Sequence, residues 1–268
     1  VLMQSNIKFN GALVMQIFGD GPLKLAVVEV QPDLSLRTTG KVVGDITNAH
    51  GLADMVNLHN QGKCAITLDP LNKLPGQQPY QGVVPLFDDH GKRLQQFSQV
   101  LEHYMLQSEQ LDTTLVLAAN DTTAAGLLIQ RLPVMGEGNL SARATAADED
   151  QIGKNEDYNR ISILAASLKA DELLSLNADT ILRRLFWEEK LVRFEPLAPK
   201  FACSCSRERV SQMIRSLGVE ETESILAERG DVEVGCDFCG QQYRFDPIDA
   251  AGIFTGAEKQ APGSSSLQ

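Results

Sequence analysis

Phe201-Ala202-Cys203-Ser204-Cys205-Ser206-Arg207-Glu208-Arg209-Val210, then Cys236-Asp237-Phe238-Cys239-Gly240, are the stretches whose reading decides how the C-terminal part of this chain folds. Thirty residues separate Cys205 from Cys236. Two close cysteine pairs on separated turns can aim four thiolates at one centre, the donor set and shape that tetrahedral Zn²⁺ takes. The predicted ligands are Cys203, Cys205, Cys236 and Cys239, holding one zinc ion. An iron–sulfur cluster uses the same donors and stays open on spacing alone. With every ligand a protein thiolate, no position is left for a metal-activated water, so metal-hydrolase chemistry is not expected.

The residues between the pairs read as a frame for them. Ser206 caps a helix carrying Val210, Met213, Ile214 and Leu217 on one face, and Gly218 ends it. A second helix, Glu220 to Arg229, stops at Gly230; Asp231 to Gly235 leads into the second knuckle, and Gln241 to Phe245 continues as a strand. A hydrophobic core of this size supplies only ~3–5 kcal/mol, whereas zinc in small modules contributes ~10–16 kcal/mol coupled to folding. Loss of the ion therefore unfolds the module. Zn–S bonds of ~2.3 Å set the sulfurs roughly 3.8 Å apart, while a disulfide needs ~2.05 Å. One pair cannot serve both arrangements. Any four-cysteine site shares this property, so spacing leaves a structural role and a switching role both open.

Upstream the chain alternates in the manner of strands: Ile7 to Phe18, Leu23 to Val30, Leu34 to Val43, Cys64 to Leu68 and Tyr80 to Leu86, with Asp20-Gly21-Pro22 as a turn. Leu94, Phe97, Val100, Leu101, Tyr104 and Met105 form one helical stripe within Leu94 to Leu111. Thr113 to Ala119 and Ala124 to Leu132 are β-like again, the latter stopped by Pro133. Met135 to Asp150, ending in Asp148-Glu149-Asp150, reads as a solvated connection. Ile161, Leu164 and Leu168 then share one helix face, and Ile181, Leu182, Leu185 and Phe186 another; Pro196 and Pro199 separate them from the cysteines. The expected fold class is α+β. It has an N-terminal mixed α/β-sheet domain over 1–147, a helical linker over 148–200, a small C-terminal four-cysteine zinc domain over 201–255 and a disordered tail over 256–268.

Composition narrows the function. The 268 residues are 43% apolar and carry a net charge of −11, which disfavours a general nucleic-acid binder, although Arg207, Arg209 and Arg215 offer a local basic patch. The apolar runs are too short to cross a bilayer. Val1-Leu2-Met3-Gln4 is not a basic segment leading into an apolar run, so no secretory signal is visible. Five cysteines, four of them in two close pairs, fit metal binding in the cytoplasm better than a disulfide framework. Cys64, in a β-like run, reads as a buried inert thiol; His50, His59, His90 and His103 are scattered. Gly19-Asp20-Gly21-Pro22 lacks phosphate-loop spacing and reads as a hairpin turn. No nucleophile–base pair stands out, and no enzyme is expected.

The cysteine stretches quoted above, with Ile225-Leu226-Ala227-Glu228, resemble the zinc module of the heat-shock protein 33 family of redox-regulated chaperones. Gly19-Asp20-Gly21-Pro22-Leu23, Tyr80-Gln81-Gly82-Val83-Val84, Tyr104-Met105-Leu106-Gln107-Ser108-Glu109-Gln110-Leu111, Ala125-Gly126-Leu127-Leu128 and Arg184-Leu185-Phe186-Trp187-Glu188-Glu189 also resemble family segments, in the family's order. The resemblance implies zinc held by four reduced cysteines at rest. Under oxidative stress it implies disulfides Cys203–Cys205 and Cys236–Cys239, zinc release and unfolding of a redox-labile linker with the module. A homodimer then holds unfolding client proteins without ATP. Family chains carry a helical stretch before the first strand, whereas this sequence begins almost at that strand. Two other classes compete: a thiol–disulfide exchange enzyme using Cys236-Asp237-Phe238-Cys239, and a nucleic-acid-binding zinc module.

Overall fold

Strand β1, Gly11–Phe18, alternates inward with Leu13, Met15 and Ile17, and the first half of the molecule is built on that face. The structure is a computed structural model describing residues 1–132, 153 and 155–255. It divides into two compact units, Val1–Lys200 and Phe201–Gln268. In the first, β1 pairs antiparallel with β2, Leu23–Val30, and with β4, Lys63–Pro70. The register sets Ile17 opposite Cys64 and Met15 opposite Ile66, so these side chains share one face. With β3, Ser35–Val42, and β5, Tyr80–Pro85, the sheet order within this unit is β5-β4-β1-β2-β3; β8 is the two-residue Lys200–Phe201. The Lys200 N–H donates to Leu34 O at 3.3 Å.

Helix α3, Phe97–Glu109, covers the inner face with Val100, Leu101, Tyr104 and Met105, all buried. Its predicted stripe is the stripe observed, with Leu94 and Phe97 partly buried beside it. The β1–β2 turn needs glycine for space: a Cβ on Gly19 would strike Leu23 O, and one on Gly21 would strike Met55 O. Between them the Asp20 carboxylate accepts the N–H groups of His59 (2.8 Å) and Gln61 (3.0 Å), tying the turn to the loop before β4.

A separate hairpin of β6, Thr113–Ala119, and β7, Ala124–Gln130, carries three helices: α4, Glu156–Ala166; α5, Ala170–Ser175; and α6, Ala178–Leu185. Ala165, Leu168, Leu173, Ile181, Leu185 and Phe186 are buried among Val116, Ala118, Ala125, Leu127 and Ile129 of the hairpin. The Tyr158 and Thr114 hydroxyls lie 2.8 Å apart at the start of this contact. Both linker stripes read from the sequence are thus core positions within the first unit. After Phe186 the chain runs without helix to Pro199, leaving Trp187 and Phe194 exposed.

Two expectations change in this unit. The first strand starts at Gly11 rather than Ile7, and a five-residue helix α1, Leu2–Asn6, precedes it, packing Leu2 and Met3 on the core. Two further short helices, α2 (Leu52–Val56) and α5, were not anticipated. Pro133, the connection over Met135 to Asp150 and the tail over 256–268 lie outside the described residues.

The second unit runs α7, Arg207–Leu217; α8, Val219–Arg229; β9, Val232–Gly235; β10, Gln242–Phe245; and α9, Pro247–Thr255. Its core is Val210, Ile214, Val232, Phe245 and Ile253. Met213 and Leu217, read as part of the same stripe, are 45% and 50% exposed. A module this small has too little interior to cover the whole stripe of α7.

Candidate metal centre

The second knuckle is the loop of the β9–β10 hairpin, whose register sets Gly235 opposite Gln242. Within it the Cys236 N–H donates to Gln241 O (2.9 Å) and the Gly240 N–H to Cys236 O (2.8 Å). Gly240 has φ 74°, the left-handed region that glycine enters without steric cost. The first knuckle enters α7 through Ser206, whose hydroxyl accepts the Arg209 N–H at 3.3 Å. Arg209 then turns back and donates to Ser204 O at 2.8 Å, holding the loop between Cys203 and Cys205. Arg207 lies over the Phe245 ring, 4.2 Å from its centroid, donates to Arg244 O (2.9 Å) and pairs with Asp249 (2.6 Å). Arg215 donates twice to Ile253 O. The three arginines read as a basic patch therefore all donate to groups inside the module.

Through this frame the four predicted cysteines come together. Their Sγ atoms all lie within 4.8 Å of one another, with Cys203 to Cys236 at 3.6 Å and Cys205 to Cys239 at 3.4 Å. A tetrahedral thiolate site has edges of roughly 3.8 Å, so the donor set and its spacing fit one metal ion. Cys203, Cys205 and Cys236 are partly buried and Cys239 is exposed.

Crowding drives the acidities of Cys203 and Cys239 apart. Burial pushes the Cys203 thiol up, but the Cys205 N–H and the three neighbouring sulfurs outweigh it and bring it down to about 6. At Cys239 the Gln241 N–H pulls the other way, yet the neighbouring thiols prevail and raise it to about 12. A first negative charge forms readily and then opposes the last. A bound cation removes that opposition, because it takes the place of the protons. The Tyr243 hydroxyl donates to Cys205 Sγ at 3.2 Å and is itself pushed up to about 12, chiefly by that contact.

Comparison with known proteins agrees. The family model described as Hsp33 protein matches residues 1–246. The 33 kDa chaperonin of Chromobacterium violaceum is 45% identical over 254 residues, spanning 95% of this chain and 77% of the relative. This chain belongs to the Hsp33 family. The 33 kDa chaperonin of Methylobacillus flagellatus is 41% identical over 264 residues, spanning 98% of this chain and 80% of that one. The crystal structure of the Hsp33 homologue from Thermotoga maritima superposes with a TM-score of 0.70 at 19% identity, covering 97% of this chain and 82% of that chain, a likeness of fold. The Hsp33 family is a chaperone family, and this member carries four cysteines positioned to bind a metal ion. Among the described residues no helix is long and apolar enough to cross a membrane.

Away from the cluster, Cys64 is fully buried and its thiol is pushed up to about 12 by that burial, the inert thiol expected. His50, His59 and His90 are exposed, and His103 lies partly buried, 3.9 Å from Asp89. The contacts of Tyr243 and Arg209 at the knuckles escaped the sequence reading. A signal existed for the first: strand alternation puts residues 243 and 245 of β10 on one face, so Tyr243 turns toward the interior with Phe245. For Arg209 there was none, since a long exposed side chain can reach any nearby carbonyl.

Proposed function

We propose that this chain is a redox-regulated, ATP-independent holdase, inactive when reduced with one zinc ion on Cys203, Cys205, Cys236 and Cys239. The observation that carries the reading is the convergence of four sulfurs in a module whose core cluster, among the described residues, gathers five buried apolar side chains. Thiolate ligation supplies what that core lacks. Oxidation to disulfides Cys203–Cys205 and Cys236–Cys239 withdraws the donors and releases the ion. The sulfur contacts of 3.6 and 3.4 Å in the folded cluster run between the two pairs. Pairing within each is supported by their one- and two-residue separations, which keep those partners close once the frame has melted.

Unfolding then spreads to the linker helices over 155–186. Those helices bury Leu168, Leu173, Ile181, Leu185 and Phe186 against the β6–β7 hairpin. Lifted away, both surfaces offer apolar area to unfolding client proteins, while the interspersed charges of the helices keep the complex dissolved. The oxidised form acts as a homodimer in the cytoplasm, with no catalytic turnover and with neither nucleic acid nor membrane as partner. The test treats reduced, zinc-loaded protein with peroxide under mild heating. Zinc release is followed with a chromophoric chelator, and aggregation of a heat-labile client by light scattering. Zinc release and client protection are expected to rise together. Protection by protein that still holds its metal would overturn the switch.

A further inference from the structure

We propose that Tyr243 is a positioning residue that slows oxidation of Cys205 by donating its hydroxyl hydrogen to that sulfur. The inference rests on the redox reading above. Tyr243 sits in β10 opposite Val234, and its side chain packs against the small core that includes Val232 and Phe245. That anchoring fixes the hydroxyl 3.2 Å from Cys205 Sγ. A thiolate carries no hydrogen, so the phenol is the donor. The donor is neutral: Arg244, the next residue, spends its guanidinium on Asp231 (2.6 Å) and Glu233 (2.8 Å). The contact therefore engages a sulfur lone pair without adding a positive charge to the cluster.

Oxidation by peroxide needs that lone pair. A thiolate attacks one peroxide oxygen, the O–O bond breaks, and a sulfenic acid and hydroxide result. The partner thiolate then displaces a second hydroxide from the sulfenic sulfur and forms the S–S bond. Two thiolates have lost two electrons and the peroxide has gained them. A hydrogen bond on the attacking sulfur must be weakened or broken in the first step, which raises its barrier. Removal of metal by a chelator involves no such attack. The two routes should therefore respond differently to loss of the hydroxyl.

The variant is Tyr243→Phe, which keeps the ring in the core and deletes the donor. Metal release from zinc-loaded protein is timed under excess peroxide and, separately, under excess chelator. Peroxide-driven release should be about threefold to tenfold faster than in the unsubstituted chain, and chelator-driven release should change by less than about twofold. In the first seconds of oxidation, a nucleophilic trap for sulfenic acids read by mass spectrometry should find a larger share on Cys205. The cobalt-loaded variant should show its sulfur-to-metal charge-transfer absorption at lower energy, a readout at the sulfur that needs no kinetics. Equal acceleration by peroxide and chelator means that the hydroxyl serves only the fold, and overturns the proposal. So does an unchanged peroxide rate, or an unmoved cobalt band if the variant proves too unstable to time. If the unsubstituted chain itself keeps its metal under peroxide, the redox reading fails instead, and the two failures are distinguishable.

Discussion

The two units rest on different physics. The sheet unit gathers thirteen buried side chains into its main cluster, from Leu13 on β1 through Leu86 to Leu115 on β6, and six more under the linker helices. The cysteine module has five. Apolar burial stabilises by ~25 cal/mol per Å² removed from water, so the first unit holds its fold by area and the second cannot. What the module has is four sulfurs from two distant stretches meeting within 4.8 Å. On the proposed reading the contrast also separates the roles: the durable unit keeps the hairpin surface, and the marginal one is free to be the sensor.

The largest effect breaks the contrast at the metal. Replacing Cys203, Cys205, Cys236 and Cys239 by serine should remove the ~10–16 kcal/mol that zinc couples to folding in such modules. Hydrogen exchange is then expected to lose protection along α7, α8, β9 and β10 while the amides of β1 and β4 keep theirs. Protected module amides in the serine variant would mean that the small core suffices.

A middle-sized effect sharpens it. Leu86 and Phe245 are each fully buried, one in each unit. Leu86→Ala should cost ~2–5 kcal/mol and Phe245→Ala ~3–5 kcal/mol, but the costs should surface in different measurements. The first lowers the denaturant midpoint of the sheet unit and leaves metal affinity alone. In the second, folding and binding are one equilibrium, so apparent zinc affinity should fall by about two to four orders of magnitude. Equal zinc affinities in the two variants would show that the module folds without its metal.

These outcomes bear on how much could be read beforehand. The long strands were legible because alternation repeats often enough to be seen: Leu23–Val30 has the bounds expected of it, and the Leu94 to Met105 stripe lies on the core. The linker stripes were legible for the same reason. Helices α1, α2 and α5 have five or six residues, too short to show a period or to form unaided, and exist because tertiary packing holds them. The convergence of the four cysteines was legible from spacing alone, since cysteine in close pairs has few other uses. What surrounds them was not. Tyr243, Arg207 and Arg209 act through contacts between knuckle, hairpin and helix that arise only once the module is folded. Met213 and Leu217 show the reverse error, a true helical stripe with too little module to bury it.

The smallest effect compares two helix caps of similar geometry. Asn155 accepts the Tyr158 N–H at 2.8 Å at the start of α4, and Ser206 accepts the Arg209 N–H at 3.3 Å at the start of α7. Each satisfies an amide that the helix leaves unpaired, and replacement by alanine costs ~0.5–2 kcal/mol. At Asn155 that loss falls on a helix held by apolar packing, so Asn155→Ala should lower the stability of the sheet unit and leave zinc binding unchanged. Ser206 follows Cys205 directly, and the Arg209 backbone it caps carries the side chain that holds Ser204 O. Loosening that turn loosens the ligand loop. Ser206→Ala should therefore appear in a zinc competition titration as about a fivefold loss of affinity, the equivalent of ~1 kcal/mol. Two caps of like strength then give unlike readouts because one is attached to a core and the other to a metal site. If both variants bind zinc as the unsubstituted chain does, the knuckle is rigid without its cap, and coupling between the module's fold and its thiolates is looser than five buried side chains imply.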